Sequence, residues 1–264
     1  MFDIDRYFQR IGFEMLAGEA REDMLIRLHC RHSFAIPFED FNPFCRVPVS
    51  LDLDRIFEKV ILGKRGGYCF ELNLLFQALL QKLGYEAAPI FCRPFSGEGV
   101  KLPLTHRLIK VSLEGKLWIA DVGLGGNGWI APLLFRVGEE QEQFGRVFRI
   151  VEDDELGYVV ERKAERQFRK AVAFRLETAE ESDFEMSNYY TSTCPTSPFV
   201  NRMMCTLPTK EGRYTIRDTV FRIEEKDGVR ECLLCEDNLQ NILEEYFGIM
   251  LTDEMNQFIC RHIS

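Results

Sequence analysis

Apolar residues after position 69 repeat at helical spacing. They recur at i, i+3, i+4, i+7, i+8 and i+11, forming one stripe of Leu72, Leu75, Phe76, Leu79, Leu80 and Leu83. Gly84 follows the last of them, and glycine commonly follows the end of a helix. The pattern predicts a helix over Cys69–Leu83. Similar patterns predict helices over Asp3–Ile11, Glu22–His32 and Leu53–Ile61.

The period shifts towards two after about residue 87. Strand candidates then follow one another at short intervals: Ala88–Cys92, His106–Ser112, Lys116–Val122, Arg146–Val151, Gly157–Glu161 and Ala171–Leu176. Many short strands at close spacing are typical of a barrel or a sandwich. We interpret the acidic stretches Gly138–Gln143 and Glu177–Asp183 as solvated loops.

The last part of the chain mixes strands and a helix. Strands are predicted near Arg213–Ile223 and Gly228–Leu234, and a helix over Asn238–Phe247. Asp237 is a suitable N-cap for this helix and Gly248 a suitable end. The sequence as a whole therefore predicts an α+β fold.

Composition narrows the class of protein. The chain has 264 residues, 46% of them hydrophobic and 28% charged, which is typical of a globular protein. The net charge of −9 argues against non-specific nucleic-acid binding. No signal peptide or membrane span is apparent, and nine scattered cysteines fit a reducing compartment. We expect a cytoplasmic enzyme that acts on small molecules; its oligomeric state is left open.

Cys69 is the first candidate for chemistry. Gly66 and Gly67 precede it by a few residues, and it occupies the first turn of the predicted helix. Helix N-termini carry unpaired N–H groups and a partial positive charge, which favour a thiolate over a thiol. Cys69 is therefore a candidate nucleophile.

A base and an orienting group are predicted from the turn at Glu114 and Gly115. If these two residues form a two-residue hairpin turn, the residue numbers of each pair that face each other across the two strands add up to 229. In that register His106 lies diagonal to Asp121 on the same face of the hairpin. Such neighbours are about 7–8 Å apart by backbone, within reach of an imidazole and a carboxylate. A three-residue turn would place them on opposite faces. The hairpin register does not place Cys69 beside His106, because that contact depends on tertiary packing.

These segments resemble the arylamine N-acetyltransferase family in order, spacing and residue type. The motifs are Arg65-Gly66-Gly67-Tyr68-Cys69-Phe70-Glu71, Thr105-His106, Asp121-Val122-Gly123-Leu124-Gly125, Ile36-Pro37-Phe38-Glu39-Asp40-Phe41 and Pro195-Thr196-Ser197-Pro198-Phe199. They span about residues 30 to 200. The chain departs from the family at Leu124, where many members carry phenylalanine, and at Asp40, where an asparagine is usual.

The resemblance, to the bacterial type of the family, implies a three-part layout. A helical bundle (1–85) would carry Cys69, a β-barrel (86–190) would carry His106 and Asp121, and an α/β lid (191–264) would follow. The implied centre is a cysteine-protease-like Cys-His-Asp triad that uses no metal.

The same resemblance implies the substrates. Acetyl-CoA would be the donor, and arylamines, arylhydrazines or N-hydroxyarylamines the acceptors. Phe38, Leu124 and Phe199 would line the acceptor pocket. For the coenzyme we expect contacts from Thr105, Gly125 and Gly126, since backbone N–H groups of the glycine-rich loop 123–128 are suited to a pyrophosphate. A plain flexible turn is an equal interpretation of that loop.

The expected chemistry is ping-pong acyl transfer, in which Cys69 attacks the thioester and the acyl group passes to an amine. A cysteine hydrolase or transglutaminase-like enzyme uses the same triad and remains an alternative. So does an amide synthase of the same fold that acts in aromatic polyketide biosynthesis. A non-catalytic descendant is the third alternative.

Other polar residues have structural interpretations. Arg65 and Glu71 are expected to form an ion pair or a cap around the helix start, and His29 and His32 to lie in or beside the core. Cys232 and Cys235 form a CxxC without a second pair of suitable spacing, so we expect strand-packing cysteines and no metal site.

Overall fold

Helices fill the first third of the computed structural model, which describes residues 1–96, 99–126 and 128–263. They are α1 (Ile4–Ile11), α2 (Arg21–Ala35), α3 (Phe41–Phe44), α4 (Leu53–Phe57), which continues as a π-helical turn over Glu58–Leu62, and α5 (Cys69–Lys82). The four predicted helices are confirmed. The short α3 and the two-residue strand β1 (Phe38–Glu39) carry no clear periodicity and were not predicted.

The middle of the chain forms an eight-stranded antiparallel sheet. Its strands are β2 (Glu86–Pro94), β3 (His106–Leu113), β4 (Lys116–Ala120), β5 (Leu133–Leu134), β6 (Glu140–Gln143), β7 (Arg146–Asp153), β8 (Gly157–Ala164) and β9 (Gln167–Phe174). Their spatial order is β5-β4-β3-β2-β9-β8-β7-β6. The six predicted strands are confirmed.

Side chains of β6 join the two ends of this sheet. The Gln141 amide exchanges two hydrogen bonds with the backbone of Leu134, at 2.8 and 2.9 Å. Gln143 likewise accepts from the N–H of Ala131 at 2.7 Å and donates to its carbonyl at 3.0 Å. The sheet is therefore barrel-like and nearly closed. The interpretation of Gly138–Gln143 as a loop is wrong, because the alternation of Glu and Gln there follows the two faces of a strand.

The remaining elements build a second sheet with helices beside it. They are α6 (Glu181–Thr193), α7 (Pro198–Asn201), β10 (Met204–Pro208), β11 (Arg213–Arg217), β12 (Val220–Glu225), β13 (Gly228–Leu233), α8 (Glu236–Ile242), extended by a π-helical turn over Leu243–Phe247, and α9 (Asp253–Ile263). The sheet order is β1-β10-β11-β12-β13. The strand predicted near Arg213–Ile223 is in fact two strands.

Several expectations for this part are wrong. Helix α6 begins at Glu181, within the predicted loop Glu177–Asp183. Cys235, not Asp237, is the N-cap of α8, and its backbone N–H donates to Asn238 Oδ1 at 2.8 Å. Cys232 and Cys235 are exposed free thiols and do not pack in the sheet. Cys232 lies on the edge strand β13, whose residues are all exposed, and Cys235 lies beyond this strand at the start of α8.

Packing fixes α5 against the barrel-like sheet. Its stripe is buried in a core shared with α1, α2 and one face of β3 and β4, including Ile109 and Ala120. The opposite face, including Leu108 and Ile119, fills the interior of the eight-stranded sheet. The start of α5 is thus held beside β3. Within the described residues, the structure contains no helix with the length and apolar character needed to cross a membrane.

Candidate active site

Cys69 is the first residue of α5 and is buried, with 3% of its surface exposed. The chain before it runs against β1, where Gly67 is bridged to Phe38. A Cβ atom on Gly66 would lie 2.1 Å from the carbonyl oxygen of Pro37, so this approach requires glycine. The glycine pair therefore sets the position of Cys69, as the sequence suggested.

Arg65 and Glu71 stabilise this corner. Arg65 Nη2 donates to Glu39 Oε1 at 2.7 Å, and Lys59 Nζ donates to Glu71 Oε1 at 2.8 Å. Glu71 Oε2 also accepts from the backbone N–H of Tyr68 at 3.2 Å, at the helix start. The predicted structural role of both residues is confirmed, with Glu39 and Lys59 as their ionic partners.

The β3–β4 hairpin brings His106 to Asp121. Glu114 and Gly115 form the two-residue turn, with φ of 51° and 76°, and the paired positions sum to 229 as predicted. His106 Nε2 lies 2.7 Å from Asp121 Oδ2, and both side chains are buried. The predicted register and the predicted contact are confirmed.

Cys69 completes the group. Its Sγ donates to the carbonyl oxygen of Thr105, the residue before His106, at 3.7 Å, and Cys69 lies close enough to His106 to affect the pKa of its ring. Burial lowers the pKa of His106, but the neighbouring Asp121 and Cys69 outweigh it and raise the pKa to about 10. The imidazole is therefore protonated near neutral pH. An imidazolium between a carboxylate and a sulfur atom is the arrangement that supports a thiolate nucleophile.

The loop after Asp121 passes close to the start of α5. A Cβ atom on Gly123 would lie 2.8 Å from the Cα atom of Cys69, so a larger residue would push the loop away from the helix. The backbone N–H of Gly123 donates to Asp121 Oδ1 at 2.8 Å. The loop thereby contacts both the sulfur-bearing residue and the carboxylate.

Sequence reasoning missed Asn73. Its Nδ2 donates to Asp121 Oδ1 at 2.8 Å and to the carbonyl oxygen of Arg107 at 2.7 Å, while its Oδ1 accepts from Val122 at 2.9 Å. Asn73 is fully buried and follows Cys69 by one helical turn, on the same face. An asparagine one helical turn after a candidate nucleophile was the available signal for a position near the site, although its partners could not be read from the sequence.

His29 and His32 are fully buried, so the predicted core position is confirmed. His29 was not recognised as a neighbour of the site, although it accepts a hydrogen bond from the backbone N–H of Asp121 at 3.1 Å. That contact joins α2 to the end of β4, and nothing in the sequence pattern indicated it.

Two of the three residues proposed for an acceptor, Phe38 and Phe199, lie close to each other. The rings of Phe38 and Phe199 are 6.3 Å apart, and Phe199 is 5.8 Å from the ring of Tyr68. Phe38 also packs against Gly125. Leu124 is half-buried and borders two cavities. The structure thus brings Phe38 and Phe199 together beside the residue before Cys69, and their role remains a prediction.

A cavity of about 1270 Å³ opens between β8–β9 and the second sheet. Leu124 and Gly126 lie on its wall; Gly125 borders a smaller cavity, and Thr105 lies at the sulfur of Cys69. Asn127, within the predicted glycine-rich loop, is outside the described residues. The large cavity carries many basic side chains: Arg162, Arg169, Lys170, Arg213, Arg217 and Arg222.

Arginines beside the loop crowd one another. Burial, together with the charges of Arg213 and Arg162, lowers the pKa of Arg146 to about 10. Arg213 donates to the carbonyl oxygen of Gly126 and is paired with Glu224 at 2.8 Å. Grouped guanidinium groups next to backbone N–H groups are suited to phosphate binding. Within the described residues, no three His, Cys, Asp or Glu side chains are grouped as metal ligands would be.

Comparisons with known proteins identify the family of the chain. A family model described as N-acetyltransferase matches residues 23–256. Arylamine N-acetyltransferase 2 of Rattus norvegicus is 30% identical, over 94% of this chain and 94% of its own length. The arylamine N-acetyltransferase / N-hydroxyarylamine O-acetyltransferase of Salmonella typhimurium is 29% identical, over 96% of this chain and 90% of its own length.

Solved structures give the same result. The Mycobacterium marinum arylamine N-acetyltransferase in complex with CoA superposes with a TM-score of 0.90 at 26% identity, covering 98% of this chain and 99% of that one. The enzyme from M. tuberculosis superposes with a TM-score of 0.89 at 28% identity, covering 97% and 99%. The chain therefore belongs to the arylamine N-acetyltransferase family and is an acyltransferase.

Proposed function

We propose that this protein transfers the acetyl group of acetyl-CoA to aromatic amines and hydrazines through an acetyl-Cys69 intermediate. The observation that carries the proposal is the buried group of Cys69, His106 and Asp121, with His106 Nε2 2.7 Å from Asp121 Oδ2. The names of the relatives, which refer to arylamine acetylation, support the substrate class.

The first half-reaction loads the enzyme. The thiolate of Cys69 attacks the thioester carbonyl, and the oxyanion is stabilised by backbone N–H groups, that of Cys69 among them. The carbon–sulfur bond of the donor then breaks, and CoA leaves as a thiol after taking the proton from His106. Because one thioester replaces another, this exchange is nearly balanced and reversible.

The second half-reaction transfers the acetyl group from Cys69 to the acceptor. An amine attacks the acetyl carbonyl, His106 accepts the proton of the amine, and Cys69 leaves as the thiolate. Asp121 orients the ring of His106 in both half-reactions and stabilises its positive charge whenever the ring is protonated. The two substrates use one cleft in turn. An N-hydroxyarylamine presents an oxygen to the same centre, and the Salmonella typhimurium relative is named for both reactions.

In this proposal the phosphates of acetyl-CoA lie in the basic cavity. Arg213 and its neighbours would bind them, and Gly126, on the cavity wall, would approach the pyrophosphate. The pantetheine arm would then pass Gly125 and Thr105 to reach Cys69. The solved relative in complex with CoA supports such a donor.

The acceptor ring would pack on the aromatic side chains of Phe38 and Phe199, with Leu124 across the cleft. Their ring separation of 6.3 Å supports one apolar surface beside Cys69. A leucine at position 124 makes this wall smaller and non-aromatic. The division of the chain into three parts, with boundaries at residues 85 and 190, remains a prediction. The cytoplasmic location also remains a prediction.

Mass spectrometry of the intact protein tests the proposal. Acetyl-CoA alone should add one acetyl group, which maps to Cys69, and an aromatic amine added afterwards should remove it. Cys69→Ala should take up none, whereas the control Cys194→Ala, which removes a partly exposed free thiol, should load normally.

An adduct on another cysteine, or transfer that requires both substrates together, would contradict the ping-pong mechanism. Peptide cleavage without thioester formation would instead favour the hydrolase alternative. Loading from the thioester of an aryl-amine-bearing polyketide, with release of a cyclised amide, would favour the amide synthase.

A further inference from the structure

The loop 121–130, which the structure describes at residues 121–126 and 128–130, follows β4 and touches both proposed substrate sites. It begins at Asp121, of the proposed triad, and carries Leu124 and Gly126 on the walls of the cavities. It ends at Ile130, which is buried. Any shift of this loop would therefore move the triad carboxylate and the proposed coenzyme contacts together.

Both ends of the loop are hydrogen-bonded to one side chain, His29 of α2. The carbonyl oxygen of Ile130 lies 2.6 Å from His29 Nδ1, and the backbone N–H of Asp121 donates to His29 Nε2 at 3.1 Å. A carbonyl only accepts and an amide N–H only donates, so both bonds require the neutral ring with its proton on Nδ1.

The environment of His29 stabilises the neutral form of its ring. The ring is fully buried and lies edge-on to Phe76, with centroids 5.5 Å apart. Burial lowers the pKa of His29 to about 4. The ring is consequently neutral at physiological pH, and the packing of α2 fixes its plane between the two ends of the loop.

Other side chains hold one end each. Gln143 Oε1 accepts from the backbone N–H of Ile130 at 2.6 Å, and Asn73 Oδ1 accepts from that of Val122 at 2.9 Å. His29 differs from both because it is hydrogen-bonded to both ends of the loop. Its loss would therefore remove a constraint on the distance between the two ends as well as on the position of each end.

We propose that His29 is a positioning residue for acyl transfer, which clamps the loop 121–130 at both ends and so aims Asp121 at His106. The proposal rests on the triad role of Asp121 proposed above. His29 itself touches neither the sulfur of Cys69 nor the reacting atoms; it acts through the backbone of Asp121.

His32 provides a matched control. It lies on the same helix, is equally buried and packs edge-on to the same ring of Phe76 at 5.3 Å. Its hydrogen bond goes to the hydroxyl of Tyr7 at 2.7 Å, away from the loop. Replacing either histidine by phenylalanine therefore removes a buried imidazole of the same kind.

The experiment compares His29→Phe, His29→Gln and His32→Phe. His29→Phe should lower kcat by about 10- to 100-fold, the cost expected of a misplaced catalytic group. It should also shift the pH profile of Cys69 alkylation and speed hydrogen exchange of the Asp121 amide. His29→Gln, whose amide can donate and accept, should recover part of kcat. His32→Phe should lower thermal stability and leave kcat and the profile near wild type.

A merely structural role predicts something else: both phenylalanine variants would lose stability alike, with kcat and the alkylation profile unchanged. That result overturns the proposal. If His29→Phe does not fold, nitrogen NMR of the wild-type protein tests the proposal by giving the protonation state of His29. A proton on Nε2, or a charged ring at pH 7, would also overturn the proposal. If Asp121→Asn retains activity, the triad proposal fails. The tautomer of His29 and the hydrogen exchange of the amide at position 121 still test whether His29 holds both ends of the loop.

Discussion

Asn73 Nδ2 donates to Asp121 Oδ1 at 2.8 Å, and this bond ties the carboxylate to the helix that carries Cys69. The other oxygen of Asp121 faces His106 at 2.7 Å. The proposed nucleophile on α5 and the hairpin β3–β4 are thus aligned by a side chain to which the proposed mechanism assigns no chemical step. This relationship makes the geometry of the site testable residue by residue.

Replacing Asn73 should therefore weaken both stability and turnover. Asn73→Ala removes the hydrogen bonds to the carbonyl of Arg107, to the N–H of Val122 and to Asp121 Oδ1. Asp121 Oδ1 keeps its hydrogen bond from the N–H of Gly123, and each buried group left without a partner costs about 1–3 kcal/mol. Gln77→Ala is a suitable control, because Gln77 is also buried on α5 but bonds to Arg107 Nη2 at 2.9 Å. Urea unfolding and kcat measure the two effects. Equal kcat in both variants would mean that Asn73 does not align Asp121.

Asp121→Asn should leave a folded protein that has lost most of its acyl transfer. An amide cannot stabilise the imidazolium of His106, and it favours the wrong tautomer. In serine-protease triads the equivalent change lowers turnover by ~10⁴-fold with the geometry intact. Circular dichroism and single-turnover acetylation are the measurements. A variant with an unchanged spectrum and a near-wild-type rate would remove Asp121 from the mechanism.

Cys69 should react with iodoacetamide at a high rate well below neutral pH. The pKa of His106 is raised to about 10, so its ring stays cationic across this range and favours the adjacent thiolate. His106→Ala should move the rate profile towards that of an ordinary thiol, near pH 8.5. Cys69→Ser measures the background of the other eight cysteines. A wild-type profile with a single step at the free-thiol position would mean that no ion pair forms.

Local features of the site were predictable, and tertiary ones were not. The period of the apolar stripe gave the helix that begins at Cys69, and the Glu114-Gly115 turn gave the register that joins His106 to Asp121. The contacts of His29 and Asn73 with Asp121 cross 92 and 48 residues of sequence. No local pattern specifies such contacts, because they depend on how α2 and α5 pack against the sheet.

The same distinction explains the errors in the fold. Helix α6 was missed because its buried positions are mostly polar: Asn188, Thr191 and Ser192 beside a single Phe184. Strand β6 was missed because its inward residues are glutamines that bond to backbone rather than apolar side chains. In both cases most of the inward positions are polar, and hydrophobic periodicity does not detect such an element.

Arg213→Gln should raise KM for acetyl-CoA more than it lowers kcat. Arg213 lies on the wall of the basic cavity and holds the carbonyl of Gly126, so its charge is expected to bind a phosphate of the donor. A hydrogen bond to a charged group is worth about 1.5–3 kcal/mol, hence roughly a tenfold or greater rise in KM. Arg136→Gln, at an exposed arginine paired with Glu139, is the control. The proposal for the cavity fails if KM for acetyl-CoA is the same in both variants.

The pH dependence of stability should reveal the buried carboxyl of Asp40. Burial raises its pKa, the hydrogen bond from Met204 at 2.7 Å opposes this, and the charges of Glu39 and Asp218 raise it further. The folded state then holds a proton that the unfolded state releases. Its contribution to stability is complete below the unfolded pKa near 3.8 and is lost as pH rises towards the folded pKa.

Asp40→Asn should therefore be at least as stable as wild type above about pH 5, by an amount that grows with pH. The asparagine carbonyl still accepts from Met204 and cannot ionise. Urea unfolding at pH 5 and pH 8 measures this difference, and Asp227→Asn, on the exposed turn between β12 and β13, should show no such growth. If Asp40→Asn were less stable than wild type at pH 8, the carboxylate would have to be stabilised in its charged form, and the interpretation of Asp40 as a protonated buried acid would be wrong.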